Sequence, residues 1–226
     1  MRCCQLRLRC EYATISRVNE LLAGYHRFRR TGWPQQRANF ESLAQTGQSP
    51  KALMVACIDS RVDPAMIFDA PPGRLLTLRN VANLVPPYQP DAAYHGTSSA
   101  LEFGVCVLEV PRIIVMGHGG CGGVRALLEG APQSAPEFVG PWMQIAAAAR
   151  DRAREQASAE DAQLFGEYEV VKISLANLLT FPWIAQRVAD GRLQLDGAWF
   201  AIRTGQLKFL QPDGSFALAE PPLLAG

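Results

Sequence analysis

Arg112–Gly123, RIIVMGHGGCGG, reads as a buried strand, a glycine-rich turn and the start of a helix. The apolar run Ile113–Met116 has the continuity of a strand covered on both faces. Gly117, Gly119, Gly120, Gly122 and Gly123 let the backbone turn tightly behind it. Ala52–Cys57, ALMVAC, has the same continuous apolar character and runs into IDSR. RLLTLRN (74–80) supplies a further strand. LQLDGAWFAI (193–202) alternates and, through a GQ turn, leads to LKFL, a hairpin closing one edge. Helices are expected over 97–109 with Thr97 as cap, about 121–130, 142–156, 159–179 and 181–191. Asp63 and Pro64 read as N-cap and first residue of a short helix to about Phe68. Strands alternating with helices predict an α/β fold. Its mostly parallel sheet has about four strands plus an antiparallel edge strand, flanked by helices.

The 226 residues suffice for one domain, expected over 16–226. Residues 1–15 show no period and are expected to be a disordered extension. Ser16 can cap a helix over 17–30, with Val18, Leu21, Leu22, Tyr25 and Phe28 on one stripe. Gly32 is expected to close it and Pro34 to open a second helix to about Ala44. The tail after Pro212 is expected to pack loosely. Lys and Arg number 22 against 21 Asp and Glu, so no electrostatic reason points to nucleic acid or an anionic membrane. No apolar run reaches the roughly 20 residues of a membrane span. The N-terminus has neither the apolar stretch nor the cleavage pattern of a secretory signal, and a cytoplasmic home is expected.

There are six cysteines. Cys3, Cys4 and Cys10 fall in the terminal extension. Cys106, in mid-helix, reads as a small core hydrophobe. Cys57 ends one strand, and His118 and Cys121 follow another. In open parallel sheets ligands gather at the carboxyl ends of strands, so the three side chains converge if those strands are neighbours. Two thiolates and an imidazole are a zinc set that leaves one tetrahedral place for water, which zinc makes a nucleophile near neutral pH. Two thiolates cancel the ion's formal charge, so activity is expected to rise towards alkaline pH. Asp59, two residues past Cys57, can reach that open place, either to take a proton or to bind zinc directly. Arg61 can clamp the carboxylate and keep it off the metal.

ACIDSRVDP, RNVANLVPPY and GHGGCGGVRALL together resemble the β-class carbonic anhydrases, especially their plant-like branch, over about residues 17–210. The resemblance implies reversible hydration of carbon dioxide to bicarbonate and a proton. It assigns Cys57, His118 and Cys121 to one zinc ion per chain, Asp59 and Arg61 to a catalytic carboxylate–arginine dyad, and Gln48 to a substrate hydrogen bond. The substrate pocket would further include Leu76, Phe103 and Gly119. Leu76 stands where plant-like members carry an aromatic, and Phe103 where they carry a tyrosine. Met54 replaces the tryptophan of a bicarbonate-inhibited branch, so that regulation is not expected. The resemblance also implies a homodimer or a dimer of dimers, with pockets at the subunit interface and N-terminal helices over the partner.

Other readings compete. Gly117, Gly119 and Gly122 spell GxGxxG, but no acidic residue ends a second strand about 20 residues on. A structural zinc would need Asp59 as fourth ligand. Cys121 could serve a thiol enzyme as nucleophile. Relatives on the same fold hydrolyse carbon disulfide or carbonyl sulfide. His26 reads as a solvated helix residue, and His95 as a loop residue and a weaker candidate for proton shuttling.

Overall fold

The computed structural model describes residues 18–219. The expectation for residues 1–15 lies outside that range. The chain divides into two compact units, the first ending at Gln48 and the second beginning at Ser49.

In the second unit six strands form one sheet: β1 (Ala52–Cys57), β2 (Leu75–Asn80), β3 (Arg112–His118), β4 (Gln194–Ala201), β5 (Gln206–Leu210) and β6 (Phe216–Leu218). Their order is β2-β1-β3-β4-β5-β6. The first four are mutually parallel, and β5 and β6 add antiparallel strands at one edge. β1 and β3 are hydrogen-bonded neighbours, Val55 opposite Val115. From β1 the chain crosses to β2 on one side, and from β3 to β4 on the other. The carboxyl ends of β1 and β3 therefore flank the point where the winding reverses, the natural crevice of such a sheet.

Alternation sends Leu53, Val55, Ile113 and Val115 to one face, where they pack with Leu101, Val105, Val171, Leu178 and Ile184. The last five lie on helices α3 (Gly96–Glu102) and its continuation, α7 (Ala162–Leu178) and α8 (Pro182–Ala189). Met54, Ala56, Ile114 and Met116 take the other face with Ile67 and Phe68. Ile67 ends α2 (Pro64–Ile67), a short helix capped as expected: Asp63 Oδ1 accepts from the N–H groups of Ala65 and Met66. At the carboxyl ends, α4 (Gly122–Glu129), α5 (Val139–Met143) and α6 (Ala147–Gln156) contribute Val124, Leu127, Met143 and Ala149 to a third cluster. That cluster includes Cys57 and Cys121.

Several local expectations change. Thr97 does not cap α3; it is buried inside the first turn, and its hydroxyl accepts from Asn80 Nδ2 (3.2 Å). After Glu102 the helix widens into a π turn, Phe103–Val107. One extra residue per turn rotates the next side chains by roughly 100°, and Cys106 is exposed rather than in the core. The helix expected over 142–156 is broken into α5, a 3-10 turn at Gln144–Ala146, and α6. The segment after Pro212 is not loose up to Leu218: β6 pairs with β5, and Phe216 stacks on Tyr168 with centroids 4.2 Å apart.

The described residues of the first unit form one helix, α1, over 18–46, not two. Gly32 keeps right-handed helical angles (φ −71°, ψ −44°). A π turn at Phe28–Gly32 precedes Pro34. It widens the helix where the proline ring would meet the carbonyl one turn back. Phe28, Trp33 and Phe40 pack ring to ring within the helix.

Candidate metal centre

Cys57 ends β1, His118 ends β3, and Cys121 is the N-cap of α4. Their ligand atoms all lie within 4.8 Å of one another, and all three residues are buried. The two sulfurs are 4.0 Å apart. Two thiolates each about 2.3 Å from a tetrahedral zinc would stand about 3.8 Å apart. His118 Nδ1–H donates to the Gly119 carbonyl (3.1 Å), which fixes the tautomer. Nε2 is left buried without a hydrogen-bond partner. An orphaned imidazole nitrogen beside two thiols has the chemistry of a metal site, and the residues fit zinc.

The backbone is arranged around the sulfurs. Backbone groups of Asp59 and Ala82 favour ionisation of Cys57, and those of Gly123 and Val124 that of Cys121. The two sulfurs share one hydrogen-bond contact, so ionisation of one thiol is favoured at the expense of the other. Ala82 reaches its position at a cost. It and Asn83 hold positive φ, 61° and 47°, a conformation that disfavours side chains. Asn80 braces the turn: its Oδ1 accepts from Leu84 N–H (2.9 Å) and its Nδ2 donates to Leu84 O (2.7 Å). Gly123 admits the segment, since a Cβ there would stand 2.9 Å from Ala82 Cβ.

Asp59 lies outside the ligand set. Arg61 donates to its Oδ1 from N–H (3.0 Å) and Nε (2.9 Å), and to Oδ2 from Nη2 (2.7 Å). Hydrogen bonds from the Arg61 side chain, more than its charge, hold the carboxyl well below the usual carboxylate range. Sequence reasoning missed Arg79. From β2 its guanidinium donates to Cys57 O (2.9 Å), Asp59 O (2.6 Å) and Asp63 Oδ2 (3.1 Å), so one side chain sets the path from ligand to dyad. An arginine ending a strand beside Cys57 was the available signal. Glu167 was also missed; it is 3% exposed and accepts from Cys121 N–H.

The remaining expected site residues are spread out. Gly119 lies in the metal turn, its N–H donating to Phe200 O (2.9 Å). Leu76 pairs with Leu53, four positions before the Cys57–Asn80 pair, about 13 Å along the strand. Phe103 is 49% exposed at the start of the π turn. Gln48 is exposed at the end of the first unit. His95 Nε2 contacts Asp91 Oδ1 at 2.6 Å, and His26 is exposed beside the Tyr25 ring. At the strand ends an apolar hollow of about 640 Å³ is lined by Ile58, Val81, Phe138, Trp142 and Ile145. Among the described residues no helix is long and apolar enough to cross a membrane.

A family model described as carbonic anhydrase matches residues 52–207. A carbonic anhydrase of Pseudomonas aeruginosa is 38% identical over 213 residues, 91% of this chain and 94% of that protein. The structure of the β-carbonic anhydrase CcaA superposes with TM-score 0.84 at 32% identity, covering 90% of this chain and all of that one. A tetrameric β-carbonic anhydrase of Sordaria macrospora gives TM-score 0.70 at 26% identity, covering 92% of this chain and 98% of that one.

Proposed function

This chain belongs to the carbonic anhydrase family, in its β class, and from that premise we propose how its own residues serve the reversible hydration of carbon dioxide to bicarbonate and a proton. The observation that carries the reading is the buried Cys57–His118–Cys121 cluster, with an unpartnered His118 Nε2 and with Asp59 tied to Arg61. Zinc held by those three residues supplies a Lewis acid that makes water a nucleophile near neutral pH.

Around it the chain positions, orients and excludes. Arg61 keeps Asp59 ionised and apart from the three residues that would hold zinc. The free lone pairs of the carboxylate accept a hydrogen from the attacking water and so aim its oxygen at the carbon. Gln48, Leu76, Phe103 and Gly119 are the proposed substrate contacts, the first three supplied across an interface between two copies. The proposed assembly is a homodimer or a dimer of dimers, supported by the tetrameric relative. A reducing, cytoplasmic home suits a site with two thiolate ligands.

The test is zinc content measured alongside stopped-flow hydration of carbon dioxide, with carbon disulfide and carbonyl sulfide as competing substrates. One zinc per chain and zinc-dependent hydration are expected. Zinc without hydration, or turnover of the sulfur compounds alone, refutes the reading.

A further inference from the structure

Behind the Cys121 ligand lies a buried carboxylate that the hydration chemistry does not use. Glu167 is 3% exposed and forms no ion pair among the described residues. Its Oε1 accepts from Cys121 N–H (3.0 Å) and from Gln163 Nε2 (2.7 Å), and its Oε2 accepts from Trp199 Nε1 (3.0 Å). Gln163 spends its other amide hydrogen on Cys121 O (3.0 Å). Both polar groups of the Cys121 backbone are thus held by two side chains one turn apart on α7. The helix comes close enough because Gly166, on the same face, packs against Val124 of α4; a Cβ there would stand 3.0 Å from Val124 Cγ1.

Burying a carboxylate without a cation is costly, and a plain brace between helices would not need one. What distinguishes a carboxylate here is that it only accepts. Three donors converge on it, and an amide would turn its NH₂ towards one of them. We propose that Glu167, with Gln163, is the positioning residue for the Cys121 ligand: it fixes the peptide from which Sγ projects and so holds that sulfur in range of Cys57 and His118. This rests on the zinc reading above. Removal of such a supporting partner typically costs 10–100-fold in metal affinity.

The experiment compares purified zinc-loaded wild type, Glu167→Gln, Gln163→Ala and the double variant Glu167→Gln/Trp199→Phe. Zinc retention is measured by competition with a chromophoric chelator, and thiolate-to-metal absorption after cobalt substitution. Glu167→Gln is expected to weaken retention about 10–100-fold and alter the cobalt spectrum, and Gln163→Ala to do so less. Trp199→Phe removes the donor that the new amide would face, so the double variant should recover part of the loss. Variants with wild-type retention and spectrum overturn the proposal while the zinc reading stands, even if their melting temperature falls. A wild type that binds no zinc overturns both.

Discussion

Asp59 and Arg61 are two residues apart, yet they meet through three hydrogen bonds because the chain turns immediately after β1. With its carboxyl held well below the ordinary range, Asp59 stays ionised above about pH 5 and contributes no limb to a rate profile there. Replacing Asp59 by Asn keeps the shape, ends the charge and places an NH₂ where an acceptor stood. The expected outcome is unchanged zinc content with turnover lower by about 10²-fold or more, the usual scale of a lost proton acceptor. Metal analysis with stopped-flow kinetics checks it, and undiminished turnover would remove Asp59 from the chemistry. The ligands and this dyad were legible in the sequence because each follows a strand end within a few residues. Arg79 and Glu167 were not. Their partners lie 16 to 22 and 32 to 46 residues away, apart from Gln163, one turn along α7; the one signal for Arg79 is its place near a strand end, and nothing local distinguishes Glu167 from a surface charge.

At the scale of elements, α7 is the helix on which the site leans, and a second buried acid ties it down. Glu169, its side chain 6% exposed, accepts from Lys172 (2.8 Å) on its own helix and from Arg152 on α6. Burial opposes its ionisation, but the two cations outweigh burial and its pKa is lowered. A lowered folded-state value means that its contribution to stability is complete above the unfolded pKa of about 4.3 and is lost as pH falls through the folded one. Glu169→Gln should therefore lower stability at pH 7 by about 1–2 kcal/mol, the partners being partly solvated. The gap from wild type should close in acid below about pH 4. Urea unfolding at both pH values checks it; a gap that persists in acid would place the effect in packing. The same scale shows where sequence patterns mislead. Gly32 and Pro34 look like a helix break, yet a π turn carries α1 through them. β6 is three residues long, too short for a period, and owes its place to pairing with β5 and to the Tyr168–Phe216 stack.

For the whole molecule, two observations bear on the proposed assembly. Val18, Leu21, Leu22, Tyr25 and Phe28 fall on one stripe of α1 and are 40% to 75% exposed. A run of large apolar side chains at helical spacing needs a covering surface, and in the proposed assembly a second copy would supply it. Independently, Leu76 lies about 13 Å of strand before the metal end of its own sheet, and Phe103 is half exposed. If they wall a substrate pocket, another chain's metal must come to them. Both point to an assembly whose loss would separate binding of metal from turnover. Leu21→Glu with Tyr25→Glu charges the stripe without touching a ligand. Sedimentation should then shift from oligomer towards monomer, zinc should stay at one per chain, and hydration per zinc should fall at low protein concentration. Recovery at high concentration would follow from mass action. An unchanged sedimentation coefficient would show that α1 is not the contact. Full turnover from a demonstrated monomer would return Leu76 and Phe103 to a purely structural role.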